Sequence, residues 1–345
     1  VRWWWNGNKV EAEELKRELR LLKDAGISGV EINPVEFPSR FAGDDLGKPS
    51  LKWLSEEWID MLRVVFDEAK TLGMICDLIV GSGWPFGAEY LEDEERARIV
   101  VTGIKKLKGP IDYEISLYEI FREADPPVSS PFPGRTMELM SLHLVPDPLD
   151  DLSGVRSLEI LKDQNVFKIS IPEGRYALYA LVRINGFMQV INGAPGATGP
   201  VLDHYNTVAL KKYLSRMADA IEEKTGPLSQ NIRALFIDSM ELEGANWTPD
   251  MMEEFKRRRG YDIYPFLHLI LFKTGAMGNV TDFSYTAGLS PEIEDMVRRM
   301  RYDFELTKAE MLEERFIKTF TEWCRALKVK SRAQAYGRNF FPLES

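Results

Sequence analysis

The N-terminal part of the chain repeats one pattern: a short apolar run, a loop carrying Gly or Trp, then an amphipathic helix closed by Gly. Nothing else in the sequence restricts the fold as much. "RWWW" leads into "EAEELKRELRLLKDAG", where Leu15, Leu19 and Leu22 fall on one helical face and Gly26 supplies the left-handed stop. "GVEINPV" opens a second unit, whose helix starts at Ser55 as N-cap with Glu56 and Glu57 in its first turn. Trp58, Met61, Leu62, Val65, Phe66 and Ala69 form its apolar stripe, and Gly73 ends it. "MICDLIVG" is almost continuously apolar, as a strand covered on both faces of a parallel sheet must be. Strands alternating with helices of this length argue for βα units.

From Ala97 to Gln189 the helical period gives way to β-like runs separated by Pro and Gly, among them "ARIVVTGI", "MELMSLHLV", "VFKISI" and "RYALYALVRI". Helix grammar returns at "NTVALKKYLSRMADAIEEKTG". "IRALFID" is then a fourth strand, Thr248 and Pro249 supply the N-cap and first turn of the next helix, and a long helix starts at Ser290-Pro291. "KSRAQAYG" supplies a fifth strand. The expected class is α/β: a TIM-like (β/α)8 barrel, incomplete at about five strands, with a β-rich insertion after the third. Residues 1–96 would hold barrel units one to three, 97–189 the insertion, and 190–345 units four and five, truncated. A doubly wound sheet fits less well, because "GSGWPFG" has neither the G-x-G-x-x-G spacing nor a helix behind it. With no initiator Met and three strands lacking, the chain reads as a piece of a longer one.

Charge and composition exclude several functions. The formal net charge is -10, from 44 basic and 54 acidic residues, which repels a polyanion and disfavours nucleic acid as a partner. No apolar run approaches the ~20 residues of a membrane span, and "VRWWWNGNKV" lacks the order of a signal peptide, so no membrane partner is expected. Cys76 and Cys324 read as two buried free thiols. His143, His204 and His268 lie far apart without metal-site spacing, no G-x-S-x-G elbow is present, and no organic cofactor is expected.

Chemistry in such a barrel sits at the C-terminal ends of the strands. The first end offers Trp4, Trp5 and Asn6, the second Glu31, the third Asp77 and Trp84, the fourth Asp238, Glu241 and Glu243 with Asn246 and Trp247 behind, and the fifth Gln334 and Tyr336. Aromatic faces stack on the C–H surface of a sugar, amides and carboxylates pair with its hydroxyls, and two carboxyl groups can cleave a glycosidic bond. The expected partner is therefore a carbohydrate substrate. Trp3 reads as core, whereas Trp4, Trp5 and Trp84 are open between core and sugar platform. Asp77 could equally tether a neighbouring loop. Asp203 and His204, in "GPVLDHYN", either touch substrate or cap the helix that follows.

The motifs "WWWNGN", "LKDAGISGVEI", "GSGWPFG", "GPVLDHYN" and above all "DSMELEGANWTPDMMEEFKRRRGYD" with "QAYG" resemble the glycoside hydrolase family 106 α-L-rhamnosidases of bacteria, in order along nearly the whole chain. The resemblance implies a TIM-like barrel, inverting hydrolysis of α-L-rhamnosides in plant or bacterial polysaccharides, further domains of the same chain beyond "QAYG", and a calcium ion. It makes Glu241 the candidate general acid and places the second carboxylate past the end of this sequence, so that the fragment alone would be inactive. Glu31 and Asp77 stand only as fallback bases. The alternatives are a catalytically silent carbohydrate-binding barrel and a glycosidase of another sugar specificity.

Overall fold

The computed structural model describes residues 1–38, 46–273 and 286–334. In chain order the strands are β1 (Arg2–Asn6), β2 (Gly29–Val35), β3 (Ile75–Ile79), β4 (Arg98–Ser116), β5 (Thr136–Pro146), β6 (Arg156–Leu158), β7 (Val166–Asn185), β8 (Ala234–Ile237) and β9 (Lys330–Ala333). The helices are α1 (Ala12–Asp24), α2 (Glu56–Leu72), α3 (Leu117–Ala124), α4 (Thr207–Thr225), α5 (Met251–Arg259), α6 (Leu267–Ile270), α7 (Pro291–Leu312) and α8 (Thr319–Ala326). No helix among the described residues is long and apolar enough to cross a membrane. The chain forms two compact units, one from Val1–Arg96, Met188–Glu241 and the chain from Leu312 onward, the other from Ala97–Phe187 and Leu242–Met311.

The first unit is a five-stranded parallel sheet in the order β1-β2-β3-β8-β9, with α1, α2, α4 and α8 supplied by the same segments. It is an α/β arrangement, and no closed sheet occurs among the described residues. Alternation decides the side chains of β1: Trp3 and Trp5 are buried, while Arg2, Trp4 and Asn6 point the other way and are exposed. Trp5 meets Trp3 and the α2 residue Trp58 edge to face, at 5.9 and 6.1 Å between ring centres. Trp3 also donates from Nε1 to Glu18 of α1 at 2.6 Å. Ser55 caps α2 as expected, its hydroxyl accepting from the Trp58 N–H at 3.3 Å.

After β3 the glycines of "GSGWPFG" serve close packing. A Cβ on Gly83 would fall 2.3 Å from the Ile191 carbonyl oxygen, and one on Gly87 would fall 2.1 Å from that of Pro200. These approaches let Trp84 exchange both backbone hydrogen bonds with Ile191, at 3.0 Å each. A π-helical turn, Glu313–Lys318, interrupts the last helical stretch before α8. Cys76 and Cys324 are both buried free thiols, and burial pushes each up to about 12.

The second unit is built on an antiparallel sheet in the order β4-β7-β5-β6. The runs "VFKISI" and "RYALYALVRI" are one strand, β7, because the Pro and Gly between them lie opposite the irregularity at Gly109–Ile111 in β4, so both partners bend together. Residues 242–311, assigned from sequence to the barrel, group with this sheet. Arg98 bridges Trp247, Leu149 bridges Leu289, and the Ala287 N–H donates to the Tyr179 hydroxyl at 2.8 Å. Helix α5 begins two residues later than the sequence suggests: Asp250 is its N-cap, and Thr248-Pro249 forms the preceding turn, with the Met251 N–H donating to the Thr248 carbonyl.

Candidate functional site

Three of the carboxylates singled out by sequence converge on the first unit's sheet, and each is already paired. Asp77, at 3% side-chain exposure, accepts from Arg233 Nε at 3.0 Å and from Arg332 at 2.6 Å. Glu31 accepts from Arg2 Nε at 3.1 Å and from Arg332 at 2.7 Å, and the Asn33 side-chain amide donates to it at 3.0 Å. Asp238 takes the other end of Arg2 at 3.1 Å and the Ser239 N–H at 2.9 Å. Buried carboxylates without such partners would be costly, so the arginines are what permits the acids to sit in the sheet. Glu31 and Asp77, the fallback bases of the sequence reading, are thus both held in ion pairs with arginine.

A cavity of about 380 Å³ is lined by Val1, Arg2, Gly29, Asp77 and Arg233 among others, residues at or near the strand starts. It therefore opens at the end of the sheet opposite to the loops that follow the strands. Those loops carry the more interesting chemistry. At the end of β8 the chain runs through Asp238, Ser239 and Met240 to the half-buried Glu241, whose Oε1 accepts from the Ser239 hydroxyl at 3.1 Å. A narrow crevice there is lined by Gly83, Trp84, Pro85 and Phe86 on one side and by Ile237–Met240 on the other, with His204 also on its wall.

His204 is 2% exposed. Its ring lies against Phe86 and Phe316, at 5.4 and 4.5 Å between centres, and Phe316 belongs to the π-helical turn. Nδ1 donates to the Leu202 carbonyl at 2.7 Å, and Nε2 has no partner among the described residues. Burial lowers its pKa to about 4, so the imidazole is neutral at ordinary pH. Asp203 beside it makes a turn, its Oδ1 accepting from the Tyr205 N–H at 2.9 Å and its own N–H donating to the Glu95 carbonyl at 2.8 Å.

The remaining residues divide. Trp4 stays exposed on β1 with the Arg2 guanidinium 5.2 Å over its ring, and Asn6 is exposed beyond it. Trp84 is half-buried. Gln334 donates from its backbone to Ile237 at 2.9 Å. Trp5 does not join Trp4: strand alternation sends it to the core at 1% exposure. Glu243, Asn246 and Trp247 are engaged inside the second unit. Glu243, at φ 46°, accepts from the Ser129 N–H at 2.8 Å and from the Ser129 hydroxyl. Asn246 clamps Val100 of β4 from both sides, accepting from its N–H at 2.7 Å and donating to its carbonyl at 2.9 Å, which accounts for both halves of the side-chain amide. Trp247 is 4% exposed. Tyr336 lies outside the described residues.

Sequence reasoning missed the three arginines and Ser239. A basic residue inside or next to a strand, as in "VRWWW" and "KSRAQ", was the available signal, since it needs an acid nearby when the sheet buries it. Among the described residues no three His, Cys, Asp or Glu side chains converge as metal ligands, and the clustered carboxylates are already neutralised by arginine.

A Formosa agariphila protein named "Putative beta-glucuronidase" is 22% identical over 97% of this chain, which spans 29% of that protein's length. The solved structure of a rhamnosidase from Novosphingobium sp. PP1Y superposes with a TM-score of 0.62 at 16% identity, covering 99% of this chain and 46% of that one. The two chains therefore share a fold. The family model described as alpha-L-rhamnosidase matches residues 160–342, more than half of the sequence and including the "DSMELEGANW" segment, and on that match the chain belongs to glycoside hydrolase family 106.

Proposed function

We propose that this chain is part of the catalytic barrel of an inverting α-L-rhamnosidase that acts on plant or bacterial polysaccharides, with Glu241 as its general acid. The observation that carries the reading is the position of Glu241. It follows a buried parallel strand directly, in the loop where βα enzymes keep their chemistry, and the Ser239 hydroxyl orients it. A glycosidic oxygen must receive a proton as its bond breaks, and an inverting enzyme holds a second carboxylate about 6.5–9.5 Å away to leave room for water. With Glu31 and Asp77 occupied by arginine, that base is expected from the parent protein outside the described residues. Trp4 and Trp84 offer the apolar surface on which a deoxy sugar can stack.

A second reading, hydrolysis of a β-glucuronide, has the name of the Formosa agariphila relative in its favour. The family model that matches more than half of the chain is described as alpha-L-rhamnosidase, which weighs for the rhamnoside. The rhamnoside is therefore preferred. The test uses the full-length parent protein on aryl α-L-rhamnosides and β-glucuronides, with Glu241→Gln as the variant. Glu241→Gln is expected to lose roughly 10²–10⁴-fold in turnover on poor leaving groups and much less on activated ones, because only the former need the proton. Equal loss on both would assign Glu241 to positioning. Binding of the sugar with no turnover by the wild type would favour a catalytically silent carbohydrate-binding barrel.

A further inference from the structure

We infer that the cavity at the strand starts of the parallel sheet is an anion site, which takes one carboxylate group on the side edge of Arg332. The inference stands apart from the glycosidase reading. Arg233 gives Asp77 the edge formed by Nε and Nη2, at 3.0 and 2.5 Å, the two-pronged pairing for which guanidinium and carboxylate are matched. Arg332 meets its acids differently. It reaches Glu31 and Asp77 through Nη1 alone, at 2.7 and 2.6 Å, so its own Nε and Nη2 edge makes no hydrogen bond among the described residues. Arg2 is also only partly used: Nε goes to Glu31 and Nη1 to Asp238, and Nη2 has no partner among the described residues.

These donors share one wall. Arg2, Arg233 and Arg332 all line the cavity of about 380 Å³, and their side chains keep 32, 47 and 43% exposure, so an ion from solvent reaches them. Three guanidinium groups face two lining carboxylates, Glu31 and Asp77, while Asp238 takes Arg2 from outside the wall, which leaves an excess of one positive charge on the cavity. The donors are held in place as well. Glu31 and Asp77 grip them, and Arg2 and Arg332 each lie over the Phe236 ring, at 4.9 and 5.3 Å from its centre. Donors oriented in advance lose little freedom on binding. The ligand follows from this chemistry: a single excess charge suits a monoanion, and two parallel N–H groups on one edge suit a carboxylate. The volume admits a small organic acid or the end of an acidic side chain from elsewhere in the parent protein, and the carboxylate is common to both. Glu31 and Asp77 repel a further acid, so binding is weak and falls with added salt.

The test takes full-length protein through a calorimetric titration with acetate and with acetamide, its neutral counterpart of like shape, at constant ionic strength, and through a crystal structure grown in acetate. Acetate should bind and acetamide should not. Arg332→Lys keeps the positive charge and loses the paired edge, so it should weaken acetate about tenfold, the effect of one charge-assisted hydrogen bond. Its thermal midpoint should stay near that of the wild type, since Glu31 and Asp77 keep Arg2 and Arg233. In the crystal, acetate should lie on Nε and Nη2 of Arg332. A carboxylate from the protein's own chain in that place, with no response to acetate, would support the site and identify its occupant. Water alone or an apolar side chain on that edge would overturn the inference, as would equal affinity for acetate and acetamide. Acetate in the crystal, with the same affinity in wild type and Arg332→Lys, would mark an adventitious additive only and overturn it too. Should Arg332→Lys fail to fold, the wild-type crystal and the acetamide comparison still decide.

Discussion

Asp77 gives the most quantitative test of what holds the parallel sheet. Its carboxylate is 3% exposed and accepts from two guanidinium groups, Arg233 from the entrance of β8 and Arg332 from β9, which are themselves 47% and 43% exposed. Arg233→Ala leaves Asp77 with Arg332, and Arg332→Ala leaves it with Arg233 while Glu31 keeps Arg2. A remaining charged hydrogen bond covers most of the need in each case, and water competes for these half-exposed arginines, so each single change should cost about 1 kcal/mol. Removing both strands a buried carboxylate with no counter-charge, a defect worth about 3–5 kcal/mol. The two losses should therefore be more than additive, by about 1–3 kcal/mol. Asp77→Asn placed on the double variant should recover most of the deficit, because the charge is gone. Urea denaturation followed by tryptophan fluorescence would read the four variants against the wild type, with Trp3, Trp4 and Trp5 on the same sheet as reporters. Strictly additive losses, or no recovery on adding Asp77→Asn, would refute the claim that the arginines are there to neutralise Asp77.

Two further outcomes follow from the second unit. His268 is 2% exposed, stacks on His143 at 4.1 Å between centres and has no partner for either ring nitrogen among the described residues; burial, and secondarily the neighbouring His143, lower its pKa to about 3. Its unfolded form takes up a proton first, so its contribution is complete above about pH 6.5 and is lost as pH falls towards 3, by up to about 5 kcal/mol. Thermal melts of wild type and His268→Phe from pH 7.5 to 4 should show a shallower acid slope in the variant; parallel slopes would deny the burial of this imidazole. Asn246→Ala should destabilise by about 1–3 kcal/mol, because the Val100 N–H and carbonyl both lose their partner. Hydrogen exchange at the Val100 amide should rise with it, and unchanged protection there would remove the clamp.

Much of the first unit was legible, because its local signals agree with its packing. The apolar stripes of α1 and α2, the Ser55 cap and the runs of β2, β3 and β8 each state one answer, and strands buried on both faces need no partner to be recognised. The second unit was less legible. The Pro and Gly of "IPEGRY" end a strand by local rules, and only the matching bend in β4 shows why β7 continues through them. The assignment of residues 242–311 to that unit rests on contacts such as Arg98 with Trp247 and Leu149 with Leu289, pairings distant in sequence that no periodicity announces.

The stretch "IDSMELEGANW" shows how far a specific motif can mislead about roles. Its acids and amide read as one constellation, all convergent on a sugar. Instead it is divided: Asp238 turns back to Arg2 in the sheet, Glu243 holds Ser129, and Asn246 substitutes for a strand's hydrogen-bonding edge against Val100. Each of these polar groups is buried, and a buried polar group must be paired, so the same chemistry that suits a sugar hydroxyl suits a neighbouring backbone equally well. Within this stretch Glu241 keeps a half-exposed carboxylate that accepts from a neutral hydroxyl, that of Ser239. A carboxyl that must deliver a proton to a leaving group cannot also be neutralised by a guanidinium, which would hold it ionised. That difference between Glu241 and its arginine-bound neighbours, more than its place in the motif, is the reason to propose it as the acid.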